Sequence, residues 1–191
     1  MSIATPPLAL AHVSLAEWDE DYSQREDAYE LVDGIPTVAP NEALHNVDAT
    51  ARLIALFDPV IRPDWMPLPH FAVDLGRSQG GHTVRQPDLA VVRRGVDPTH
   101  HRVTPSDIAL VVEVISPGSV ETDAITKRAE YARAGIPAYL LVDVRGPRPT
   151  VVLFDRIVDG AYATPDTDGT AATIRIGDHT IPLRATDLVD E

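Results

Sequence analysis

The chain of 191 residues contains no cysteine. That excludes a disulfide framework, thiol catalysis and cysteine-ligated zinc, and it fits a reducing compartment, so the expected location is the cytoplasm. Long hydrophobic runs are missing too. The longest, residues 108–115, is far short of a membrane span and is interrupted by Glu113, so no membrane partner is expected. The stretch Met1-Ser2-Ile3-Ala4-Thr5-Pro6-Pro7 lacks the basic start of a secretory signal. Basic charge is scarce. With 16 basic and 29 acidic residues the net charge is −13, which argues against a broad basic surface for nucleic acid. A local basic groove or a metal-bridged phosphate stays open. Among the 16 basic residues only Lys127 is lysine. There is no HExxH, GxGxxG, P-loop or GxSxG sequence.

What is present reads as one α/β domain over residues 1–191, since 44% apolar residues and this length suit a single sizeable core. Ser14-Leu15-Ala16-Glu17 is a capping box opening a short acidic helix. Residues 29–38 form a hairpin around Asp33-Gly34. Asn41 is placed to cap a helix reaching about Phe57. Leu44, Val47, Ala51, Ile54 and Ala55 mark its apolar face, and Asp58-Pro59 ends it. Proline and glycine then punctuate the chain up to a strand at residues 88–92. Residues 108–115 read as a strand covered on both faces. A helix capped by Ser119 or Thr122 reaches Ala134 and closes at Gly135, followed by a strand over residues 138–144. Strand, helix, strand of this length implies a parallel crossover. From Thr150 onward short β segments suggest antiparallel pairing. The expected architecture is one mixed sheet flanked by helices.

Glu113 is the strongest chemical signal. An ionised carboxylate inside a buried strand costs several kcal/mol unless it is paired, protonated or bound to a metal. A structural ion pair with an arginine is the bland account. Asp88 opens a second apolar strand, where a turn role is common. Two acids at the ends of successive core strands suit Mg²⁺, which takes few carboxylates and keeps waters. Glu30, on the hairpin, is expected to face solvent. Lys127 follows Asp123 by four residues, a favourable surface pair worth tenths of a kcal/mol. A helical wheel places the apolar arc on Ala124, Ile125, Ala129 and Ala132, with Lys127 off it. His45 could reach a cleft or cap a neighbour.

These pieces, in order, resemble the Uma-type endonuclease-like family of the PD-(D/E)xK nucleases. They are Glu30-Leu31-Val32-Asp33-Gly34, Pro40 and His45; Gln86-Pro87-Asp88-Leu89-Ala90-Val91-Val92; Val112-Glu113-Val114-Ile115-Ser116-Pro117; Asp123, Lys127, Tyr131, Ala132, Gly135 and Ile136; and Tyr139-Leu140-Leu141-Val142-Asp143. The resemblance implies a restriction-endonuclease-like fold and Mg²⁺- or Mn²⁺-dependent cleavage of DNA, with a homodimer suited to cutting two strands. It implies Asp88 and Glu113 as metal-binding acids and Glu30 as an additional one. The lysine expected two residues after the glutamate is replaced by Ile115, and the following helix supplies Lys127 instead. Two other readings stand beside it: a catalytically silent, protein-binding descendant of the fold, and a metal hydrolase acting on a small phosphorylated substrate.

Overall fold

A strand apolar at nearly every position must be covered on both faces, and the run from Ile108 finds that cover at the centre of a mixed sheet. The structure, a computed structural model, describes residues 12–23, 29–39 and 43–190. The described residues open with α1 (Leu15–Asp21), the hairpin strands β1 (Tyr29–Val32) and β2 (Ile35–Val38), and α2 (Leu44–Ile61). Then come β3 (Trp65–Pro69), β4 (Ala72–Arg77), β5 (His82–Arg85), β6 (Leu89–Arg93), β7 (Arg102–Val103) and β8 (Ile108–Val114). A helical segment follows: a π turn at Thr122–Lys127 continued by α3 (Arg128–Arg133). The remainder is β9 (Tyr139–Asp143), β10 (Thr150–Phe154), β11 (Ile157–Val158), β12 (Ala161–Tyr162), β13 (Ala171–Ile176) and β14 (His179–Arg184).

The central sheet has the order β10-β9-β8-β6-β3. Strands β8 and β9 run parallel, as the crossover reading expected, and the other neighbours are antiparallel. One face carries Leu89, Val91, Leu110, Val112 and Leu140 against α2 and the β13–β14 hairpin. The opposite face carries Ala90, Val92 and Val111 against Tyr131, Ile136 and Phe154. Each fully buried leucine stabilises the fold by roughly 1.5–3 kcal/mol. The protein is thus a mixed α/β fold, but not with a single sheet. A second five-stranded sheet, β2-β1-β5-β4-β7, packs α1 through Trp18, Leu31, Ala72 and Val84.

Local chemistry explains which sequence readings survive. The Ser14 box forms in full: the Glu17 amide donates to the Ser14 hydroxyl, and the Glu17 carboxylate accepts from the Ser14 amide at 2.7 Å. Asp33 and Gly34 both take positive φ, 49° and 82°, which a two-residue hairpin turn requires. The strands β3, β4 and β5 were hidden by punctuation. Pro67 and Pro69 lie on β3, an edge strand whose prolines cost no central ladder bond. A register shift between Asp74 and Gly76 breaks the alternation of β4.

Helix α2 corrects two expectations, while the cap read at Asn41 lies outside the described residues. The helix runs through Pro59 to Ile61, because Phe57 and Ile61 are fully buried and that packing outweighs one lost backbone bond. Its inward face is Asn46, Ala49, Thr50, Leu53, Phe57 and Ile61, whereas Leu44 and Val47 are exposed. Among the described residues no helix is long and apolar enough to cross a membrane.

Candidate active site

Alternation along β8 sends Val112 and Val114 toward α2 and leaves Val111 and Glu113 on the opposite face. Glu113 therefore ends inside the protein, 2% exposed, beneath the helical segment 120–133. Leu89 pairs with Val112, so the antiparallel register carried one residue further sets Asp88 opposite Glu113 on the same face. The Asp88 Oδ2 accepts a hydrogen bond from the Val114 amide at 2.5 Å, which fixes its carboxylate against the end of β8.

The helical segment delivers the cation. Lys127 Nζ donates to Glu113 Oε2 at 3.0 Å and lies 3.4 Å from Asp123 Oδ1 and 3.6 Å from Glu30 Oε1. The surface pair read from the sequence is thus a buried one: Asp123 is 2% exposed, and the Lys127 side chain 12%. The wheel failed because residues 122–127 wind as a π turn, which rotates the helix relative to α-helical phase. Ile125 and Ala129 consequently face solvent, and Asp123, Lys127 and Tyr131 face inward. Tyr139 pins the turn to β9 by donating from its hydroxyl to the Asp123 carbonyl at 3.0 Å. Tyr131 donates to Glu113 Oε1 at 2.6 Å.

Glu30 does not face solvent either. It is buried, and Arg85 explains why. The Arg85 guanidinium donates to Glu30 Oε2 at 2.6 Å and grips both oxygens of Glu130 at 2.7 and 2.9 Å. Glu30 Oε1 accepts from the Gln86 amide at 3.1 Å. Arg85 and Glu130 were missed in the sequence, although Arg85 stands three residues before Asp88 and Glu130 three after Lys127. A buried fork of this kind breaks badly when one partner is removed. Arg85→Met is expected to destabilise the protein by about 3–5 kcal/mol, measured by urea denaturation, because two buried carboxylates lose their counter-charge.

Burial is the largest influence on Glu113 and pushes its carboxyl up to about 7, against the pull of Lys127 and with added push from Asp123. Burial also acts on Glu30, but Lys127 and Arg85 together outweigh it and hold that carboxyl below its ordinary range. Lys127 and Arg85 are both held firmly protonated, since the surrounding carboxylates overcome their desolvation. His45 stands exposed in the first turn of α2; its part there is a small one in lowering Asp143, behind Arg145.

Among the described residues no three His, Cys, Asp or Glu side chains form a group that could hold a metal ion; the acids converge on an ammonium instead. Two facing carboxylates remain, Asp88 and Glu113, with a buried Asp123 Oδ1 that accepts no hydrogen bond close by. An all-oxygen set with two carboxylates fits Mg²⁺, whose other positions are ordinarily water and phosphate.

The family model described as "Uma2: Putative restriction endonuclease" matches residues 15–180. The crystal structure of a protein from Anabaena variabilis, described as a "putative nuclease belonging to DUF820", superposes with a TM-score of 0.63 at 16% identity, covering 92% of this chain and 97% of that one. That likeness establishes a shared fold. No curated protein matches the chain.

Proposed function

The chain belongs to the Uma2 restriction-endonuclease family, and from that premise we propose that it is a divalent-metal-dependent endonuclease hydrolysing DNA phosphodiesters. The observation that carries the proposal is the only lysine of the chain, buried against Glu113 on the face of the sheet that Asp88 shares. A surface ion pair gains little and needs no such burial.

Asp88 and Glu113 would hold Mg²⁺ or Mn²⁺. When bound, the ion acidifies water and neutralises charge on the phosphate. Lys127 would meet the negative charge that develops on the phosphate, acting as an electrostatic donor at close range. Glu30, already engaged by Arg85 and Gln86, would act at one remove by orienting Lys127 and nearby water. Tyr131 holds Glu113 in one rotamer. Two copies related by a two-fold axis would suit cleavage of both strands. With net charge −13, the metal and Lys127 carry the attraction to phosphate that the surface as a whole does not.

Incubation of the purified protein with supercoiled and single-stranded DNA tests this. Nicking or linearisation that requires Mg²⁺ or Mn²⁺ and stops with EDTA is expected. Asp88→Asn should weaken metal binding and lose the cleavage while leaving the fold intact. Cleavage of nucleotides but not of DNA would transfer the same chemistry to a small phosphorylated substrate.

One observation favours a second reading. Every oxygen of Glu30 and Glu113 already has a polar partner within the protein. A silent scaffold could keep such a network for stability alone. It would bind no divalent ion at all.

A further inference from the structure

Two cations serve the acids of this site, and they are held in different ways. Arg85 makes three hydrogen bonds of 2.6 to 2.9 Å and engages all three nitrogens of its guanidinium. Lys127 makes one hydrogen bond, to Glu113 at 3.0 Å, and two longer ionic contacts, to Asp123 at 3.4 Å and Glu30 at 3.6 Å. The Asp123 Oδ1 is buried and accepts no hydrogen bond, so only the charge of the ammonium satisfies it. Arg85 is locked in place. Lys127 is a compact charge on a flexible four-carbon stem, and part of its side chain still reaches solvent.

We infer that Lys127 is the resident cation of a seat formed by Glu113 and Asp123, and that its ammonium leaves that seat when a divalent ion binds. This deepens the reading above and rests on its claim that Glu113 binds metal. Like charges at a few ångströms repel strongly in a low-dielectric site. An ion on Glu113 would therefore oppose the ammonium only 3.0 Å from the same carboxylate with twice its charge. While three carboxylates surround it, the ammonium has no charge to spare for a phosphate. Once released, it becomes available to substrate. Asp123 then gains a role that helical spacing alone did not suggest: it holds the lysine in the resting protein and meets the incoming ion afterwards. The order is fixed by charge, with metal first and phosphate second.

The only lysine offers a direct test on the wild-type protein. Its ε-amine can be acylated with an N-hydroxysuccinimide ester and distinguished from the N-terminal amine by peptide mass spectrometry. Without metal, labelling should be slow. Saturating Mg²⁺ should speed it on the order of tenfold, which corresponds to about 1.4 kcal/mol of lost shielding. Glu113→Gln should lose this metal response, and Asp123→Asn should label faster without metal because one of the three holding charges is gone. Calorimetric titration with Mg²⁺ accompanies the labelling. Binding with unchanged labelling overturns the exchange and leaves the metal-dependent reading standing. Absence of binding overturns both. An undiminished response in Glu113→Gln places the ion elsewhere and overturns the exchange.

Discussion

Glu113→Gln is expected to reduce metal-dependent cleavage by a factor on the order of a thousand, the upper range for loss of one electrostatic element of an active site. The amide keeps the shape of the side chain and still accepts from Tyr131, but it offers the cation no charge. Folding should respond in the opposite direction, and its pH dependence is specific. In the folded protein Glu113 titrates near 7, raised by burial from an ordinary 4.5. The folded state therefore holds that proton more tightly than the unfolded chain. The stability this confers is complete below pH 4.5, is lost as pH rises through 7, and amounts to about 3 kcal/mol. Glutamine cannot lose a proton and escapes the loss. Thermal denaturation should show the variant close to wild type at pH 5 and more stable at pH 8. Equal pH profiles for the two proteins would show that Glu113 does not hold its proton in the way its burial implies.

Lys127→Arg should fold normally, keep its metal binding and lose cleavage by about a hundredfold. The substitution preserves charge and helix propensity, so a mere counter-charge to Asp123 would tolerate it. The structure already removes the solvated alternative, since the ammonium touches three carboxylates from two strands and its own helix. A planar guanidinium is broader than an ammonium and cannot occupy one point among them. Single-turnover cleavage with circular dichroism as the folding control decides it. An arginine variant that cuts at the wild-type rate would reduce Lys127 to a structural ion-pair partner.

Strand β8 and Glu113 were legible in the sequence because a charge inside an unbroken apolar run has few innocent explanations. The hairpin at Asp33-Gly34 and the Ser14 capping box were legible because each rests on neighbouring residues alone. Asp88 was found through its position before a second apolar strand, which the register then set opposite Glu113. Both helices that flank the central sheet were misread in phase, and beside the π turn of the second one a shared reason contributes. Their inward faces include polar residues: Asn46 and Thr50 among the apolar ones of α2, Asp123 and Lys127 in the π turn. Hydrophobic periodicity assigns polar residues to solvent, so it turned each helix the wrong way. Asn46 is drawn inward by the Val114 carbonyl, to which its amide donates at 3.0 Å. Lys127 is drawn inward by Glu113 and Glu30, and Asp123 accompanies it as a third counter-charge. Local rules fail where a chain builds a site, and here the failures mark its surroundings. Edge strand β3 of the central sheet escaped because Pro67 and Pro69 conceal it, and the second sheet escaped because the bulge near Gly76 breaks a strand that only tertiary pairing establishes. Arg85 and Glu130 lie 45 residues apart, so no local pattern could have joined them.

The central claim is that Asp88 and Glu113 jointly hold a divalent ion. A crystal of the wild-type protein grown with Mn²⁺ tests it most directly, through anomalous scattering. The account predicts one strong peak bound by both carboxylates, and its absence from a Glu113→Gln crystal prepared in the same way. A wild-type crystal saturated with Mn²⁺ that shows no peak between Asp88 and Glu113, with Lys127 still against Glu113, would contradict it.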